Sequence, residues 1–141
     1  MYQTLTIANY VLQYAKKHQY GLSVLQLMKI LYFVQAQFLA NTGKPLFDEP
    51  IIAEDYGPVE KSVWNKYSAY GNAWIPVTTQ QNMSIEKEHT NDLDWTIDKV
   101  LGLDNSYLFQ IIEHQTPYKN GRMNFPTFEI TQDDLRNFFI N

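Results

Sequence analysis

The sequence predicts a mainly α fold: a compact single-domain bundle of about six helices, with a short β or extended element between the second and third. Three observations predict it. Apolar residues recur at i, i+3 and i+4 in several segments, one long segment is apolar on nearly all sides, and Ser/Thr caps and Gly or Pro stops punctuate the chain at helix-length intervals. A chain of 141 residues fits one domain, 1–141, and a domain near that size buries roughly 68–70% of its unfolded surface.

The first helix carries Ile7, Tyr10, Val11, Tyr14 and Ala15 on one face, with Thr4 or Thr6 as its expected cap and Gly21 ending the segment. The second is the most strongly marked. Ser23 and Gln26 form a capping box, in which hydroxyl and amide satisfy each other's exposed backbone donors. The helix then runs from about Val24 to Asn41 through Leu27, Ile30, Leu31, Phe33, Val34 and Phe38, a pattern that buries it in the middle of the fold. Gly43 followed by Lys44-Pro45 stops it. Ile51-Ile52-Ala53 with Glu54-Asp55 reads as a short strand closed by Tyr56-Gly57-Pro58. Pro58 is expected in the first turn of the third helix, where its missing N–H would have no partner anyway, with Val59, Val63, Tyr67 and Tyr70 following before Gly71. The polar stretch from Thr78 to Asn91 reads as a surface loop or insertion. Leu93, Ile97, Val100 and Leu101 mark a fourth helix, Ser106 is the expected cap of a fifth with Leu108, Ile111 and Ile112, and Thr131 with Asp134 caps a last short one.

Composition narrows the function classes. Zero Cys removes disulfide frameworks, thiolate nucleophiles and sulfur-ligated metal sites, and a cytoplasmic protein is the natural expectation. The N-terminus has no basic n-region, and the longest purely apolar run, Ile30 to Val34, is far short of the ~18 residues of a spanning helix, so no membrane association is expected. The net charge of −4 is unevenly placed. Residues 1–76 carry 6 basic and 5 acidic side chains, and residues 77–141 carry 5 and 10. That balance argues against direct nucleic-acid binding, which depends on basic patches.

Catalytic candidates are few. His18 and His89 sit in polar surroundings, whereas His114 ends the fifth helix, where bonding to the last helix carbonyls is favoured over catalysis. No H-x-x-x-H, H-E-x-x-H or D-x-D spacing supplies a second metal ligand near His114, and a phosphate loop and a G-x-S-x-G elbow are absent, so no metal, cofactor or catalytic residue is assigned and a non-enzyme is expected. Lys29, Tyr32 and Gln35 form a polar-tipped row on the otherwise apolar second helix, and buried polar groups must find partners. Two roles fit. One is a core network in which Lys29 pairs with a carboxylate such as Glu54 or Asp55, which is the favoured role, and the other is a recognition groove. The 10 Tyr, 8 Phe and 3 Trp serve cores and interfaces alike. The acidic segment Glu86 to Asp104, with Asp94 and Asp98 at its centre, is either a solvated helix face or a surface complementary to a basic partner.

The run Leu27-Met28-Lys29-Ile30-Leu31-Tyr32-Phe33-Val34-Gln35-Ala36, then Gly43-Lys44-Pro45-Leu46-Phe47-Asp48-Glu49-Pro50-Ile51 and Tyr56-Gly57-Pro58-Val59, resembles the Panacea domain, the family of SocA-like antitoxins and GepA-type phage-associated proteins. The likeness extends more weakly to His114-x-x-Pro117-Tyr118, where the family usually has Pro-Trp. It implies a mostly helical antitoxin that neutralises a cognate protein toxin by direct binding, usually encoded by a neighbouring gene on a prophage or mobile element. Some members instead deliver the toxin to a Clp-family protease. An enzyme that reverses the toxin's modification, using His114, Glu113 or Tyr118, is the reading from a different class. The partner-binding candidates are Lys29, Tyr32, Gln35, Tyr56, Pro58, Asp94, Asp98, His114, Pro117 and Tyr118.

Overall fold

The structure is a computed structural model that describes residues 1–77 and 84–140. Among these, seven α-helices accompany a three-stranded antiparallel sheet of order β2-β1-β3. Helix α1 spans Thr4–Lys17, α2 Val24–Thr42, α3 Lys61–Tyr67, α4 Lys87–Val100, α5 Asn105–Glu113, α6 Thr116–Met123 and α7 Gln132–Phe139. Strand β1 is Ile51–Glu54, β2 Gly57–Glu60 and β3 Glu129–Ile130. No helix among the described residues is long and apolar enough to cross a membrane.

Helix α2 is the axis, as its sequence predicts. The capping box of Ser23 and Gln26 is formed, Gly43 ends the helix in the left-handed region at φ 76°, and α1, α3, α4, α5, α7 and β2 all pack on it. Gln35 fastens the chain after the helix. Its Nε2 donates to the Phe47 carbonyl at 2.6 Å, and its Oε1 accepts from the Leu46 and Phe47 N–H groups at 2.8 and 3.3 Å. The segment that feeds β1 is thereby tied to the core.

Several boundaries differ from the sequence expectation, each for a local physical reason. The N-cap of α1 is Gln3 rather than Thr4 or Thr6. Thr4 is buried inside the helix, and its N–H donates to Glu49 Oε1, so the carboxylate arrives from 45 residues away. Pro58 lies in β2, not in a helix. The sheet edge tolerates it because its partner Ala53 turns its own N–H and C=O the other way, towards the Phe128 carbonyl and Arg122. Helix α3 starts only at Lys61, where the Glu60 carboxylate accepts from Ser62 and Val63 N–H at 3.1 Å each. The helix-starting proline is Pro117, in the first turn of α6, a helix that the sequence reading does not assign. Asp104, not Ser106, caps α5, its carboxylate accepting from Tyr107 N–H at 2.8 Å. Of the polar stretch from Thr78 to Asn91, residues 78–83 lie outside the described residues, and from Lys87 onwards it is the first turn of α4. Thr131 caps α7 as expected.

Gly121 shows how closely α6 rides on the sheet. A Cβ there would stand 2.8 Å from Ile130 Cγ1 and 3.0 Å from the Ala53 Cβ, so only glycine permits this approach.

Candidate functional site

The β1–β2 hairpin, the middle of α2 and the α5–α6 corner meet at one place, and most of the predicted site residues meet there with them. Tyr32 is fully buried and donates from its hydroxyl to Gln115 Oε1 at 2.7 Å, which joins α2 to the α5–α6 turn. Burial pushes its phenol well above the ordinary tyrosine range. One turn earlier, Lys29 extends beneath the hairpin. A Cβ on Gly57 would lie 3.2 Å from both Cε and Nζ of Lys29, and Gly57, at φ 131°, is a conformation that favours glycine. The ammonium sits 5.6 Å from the centre of the Phe109 ring, which in turn meets Tyr118 edge-on at 5.9 Å.

The hairpin itself is held from α6. The Tyr118 hydroxyl donates to the Glu54 carbonyl, and Arg122 donates to the Ala53 carbonyl at 2.8 Å and pairs with Asp55. Burial raises the Tyr118 phenol, with the Arg122 charge pulling the other way. Asp55, Phe109, Glu113, Tyr118, Arg122 and Met123 line an open depression of about 520 Å³ beside this scaffold. Tyr56 caps the hairpin, 43% exposed and 6.0 Å from the Trp64 ring.

The sequence expectation that Lys29 pairs with Glu54 or Asp55 is overturned. Asp55 is taken by Arg122, and among the described residues the remaining ion pair is His89–Glu86. Lys29 is only 1% exposed, and burial alone lowers it to about 8, with no carboxylate near enough to hold it up. Gln35 belongs to the same row but uses its amide on residues 46 and 47, so it serves the core. His114 Nδ1 lies 2.7 Å from the Gln110 carbonyl, the helix-end bond expected for it. Pro117 and Pro58 are buried supports of α6 and β2.

Asp94 and Asp98 stand apart, on α4. They accept from the hydroxyls of Tyr10 and Tyr14 on α1, and burial, followed by those hydrogen bonds, raises both phenols. Gly57, Phe109, Gln115 and Arg122 are corner residues without an assigned role in the sequence reading. Gly57 alone carried a signal, inside the Tyr-Gly-Pro motif. The others meet their partners across long separations that no local pattern encodes. No group of three or more His, Cys, Asp or Glu that could hold a metal occurs among the described residues.

A family model described as antitoxin SocA-like, Panacea domain, matches residues 27–120. The chain belongs to that family. It is also similar to Antitoxin SocA of Caulobacter vibrioides, with 36% identity over 69 residues, 49% of this chain and 37% of that relative. The match therefore spans well under half the length of the curated relative. No solved structure matches the chain. The Panacea match runs from the start of the Lys29 row to the middle of α6, so it takes in every predicted site residue and leaves Arg122 just outside.

Proposed function

We propose that this protein neutralises a cognate protein toxin by direct binding, with the hairpin and the α5–α6 corner as the contact surface and the toxin encoded by a neighbouring prophage or mobile-element gene. One observation carries the choice of surface. Lys29, Tyr32, Pro58, Pro117 and Tyr118 are buried where the hairpin packs on α2, α5 and α6, and the surface of that corner exposes Tyr56 and Met123 beside charged groups. Protein interfaces combine aromatic or methionine contact area with a polar rim in this way.

The experiment is to tag the protein at its native locus, co-express the adjacent open reading frame and measure by mass spectrometry what co-purifies and in what ratio. A small neighbour-encoded protein in fixed stoichiometry is the expected result. Suppression of toxicity without a complex would overturn it. A toxin level that falls in a Clp-dependent manner would make the protein a proteolytic adaptor, and rescue far below stoichiometry would make it an enzyme.

Asp94 and Asp98 enter this reading as a steering field for a basic toxin surface. Exposed acidic groups speed encounter more than they add affinity. Asp94→Asn with Asp98→Asn is expected to slow association severalfold and flatten its salt dependence, measured by stopped flow. An unchanged rate and salt slope would remove steering from the proposal.

A further inference from the structure

Lys29 is the buried charge that the fold itself leaves unanswered. It lies on the most apolar helix of the protein, is 99% buried, and among the described residues its Nζ has no hydrogen-bond acceptor and no carboxylate partner. The nearby acids are committed elsewhere. Asp55 pairs with Arg122, and Glu60 caps α3. A charge removed from water is unfavourable unless it is paired, and a methionine of similar length would fill the same space without that cost. Burial that lowers its proton affinity is the mark of that cost. Fold-internal logic therefore does not explain the lysine.

We infer that Lys29 is the anchor for a carboxylate of the protein partner, an Asp or Glu side chain. This rests on the toxin-binding reading and names the chemistry of its central contact. Three features select that occupant. Gly57 is buried against the ammonium and puts only backbone there, since a Cβ on it would stand 3.2 Å from Nζ. The surroundings supply one cation against the Phe109 ring, which matches a monoanion, whereas a phosphate dianion would bury a second charge without a partner. Tyr56 and Trp64 beside the turn provide aromatic area for a protein rather than a small anion, and docking there excludes water and strengthens the ion pair.

The test has two arms. NMR of 13C-labelled lysine, with the Lys29 resonance assigned by its loss in Lys29→Met, follows a titration with N-acetyl-glutamate amide, with N-acetyl-glutamine amide and inorganic phosphate as comparisons. A saturable shift at Lys29 with the glutamate probe, with a roughly tenfold gain in its proton affinity, is expected. No saturable shift, an equal shift with the glutamine probe, or a response to phosphate alone overturns the anchor. In the second arm, the neighbour-encoded protein is co-expressed with Lys29→Met and with Lys29→Gln, and recovery is expected to fall at least tenfold in both. Full recovery with both variants overturns the anchor and leaves toxin binding standing. If the wild type itself recovers nothing, toxin binding fails and the glutamate titration alone decides the anchor.

Discussion

Replacing Lys29 with Met is expected to make the protein more stable at neutral pH. The folded state holds Lys29 at about 8 against an ordinary 10.5, a difference worth about 3 kcal/mol when the lysine is charged. Because the folded value is the lower one, the unfolded chain binds more protons between those two values. The penalty is complete below about pH 8, shrinks as pH rises, and is gone above 10.5. Wild type should therefore gain stability on Lys29→Met across that window, while the variant shows no such rise. Urea unfolding of both proteins from pH 6 to 10.5 checks this, and the difference between them cancels the raised tyrosines, which titrate in the same upper range. A gain of about 1–3 kcal/mol at pH 7 is expected, since replacing buried charge with a hydrophobe of similar volume is neutral or stabilising. A loss of similar size would mean that Lys29 has a favourable partner inside the fold.

Gln35 should behave in the opposite way. Its amide satisfies two backbone N–H groups and one carbonyl at residues 46 and 47, all enclosed by the core. Gln35→Leu removes these bonds and leaves three polar groups without water or partner, each costing about 1–3 kcal/mol. A total loss of roughly 3–5 kcal/mol is expected, a large part of the ~5–15 kcal/mol that holds a domain of this kind together. Urea unfolding gives the number. Stability within 1 kcal/mol of wild type, accompanied by lost toxin binding, would make Gln35 a contact residue instead.

These two neighbours on one helix also show what the sequence can and cannot carry. Spacing alone placed Lys29, Tyr32 and Gln35 on a common row and α2 at the centre, because capping and apolar periodicity are local. The role of each side chain was decided by groups far away in the chain. Gln35 met a loop 11–12 residues on, Tyr32 met Gln115, and the acid expected for Lys29 was claimed by Arg122, 67 residues downstream of Asp55. The two prolines illustrate the same limit. Pro58 and Pro117 both suit a first helical turn, and only the pairing of β2 with β1 assigns the first to a strand. Strand β3, two residues long, has too little pattern to read at all. The motif residues were legible as a group through the Panacea resemblance, and their convergence on one corner was not.

The central claim is that an uncompensated lysine is kept in the core for a partner. Isothermal titration of the neighbour-encoded toxin into wild type and into Lys29→Met at pH 7, beside the thermal midpoints of both, measures it most directly. Stoichiometric binding by wild type, with at least tenfold weaker binding by a more stable Lys29→Met, is the predicted result. Equal affinity of the two proteins would contradict it.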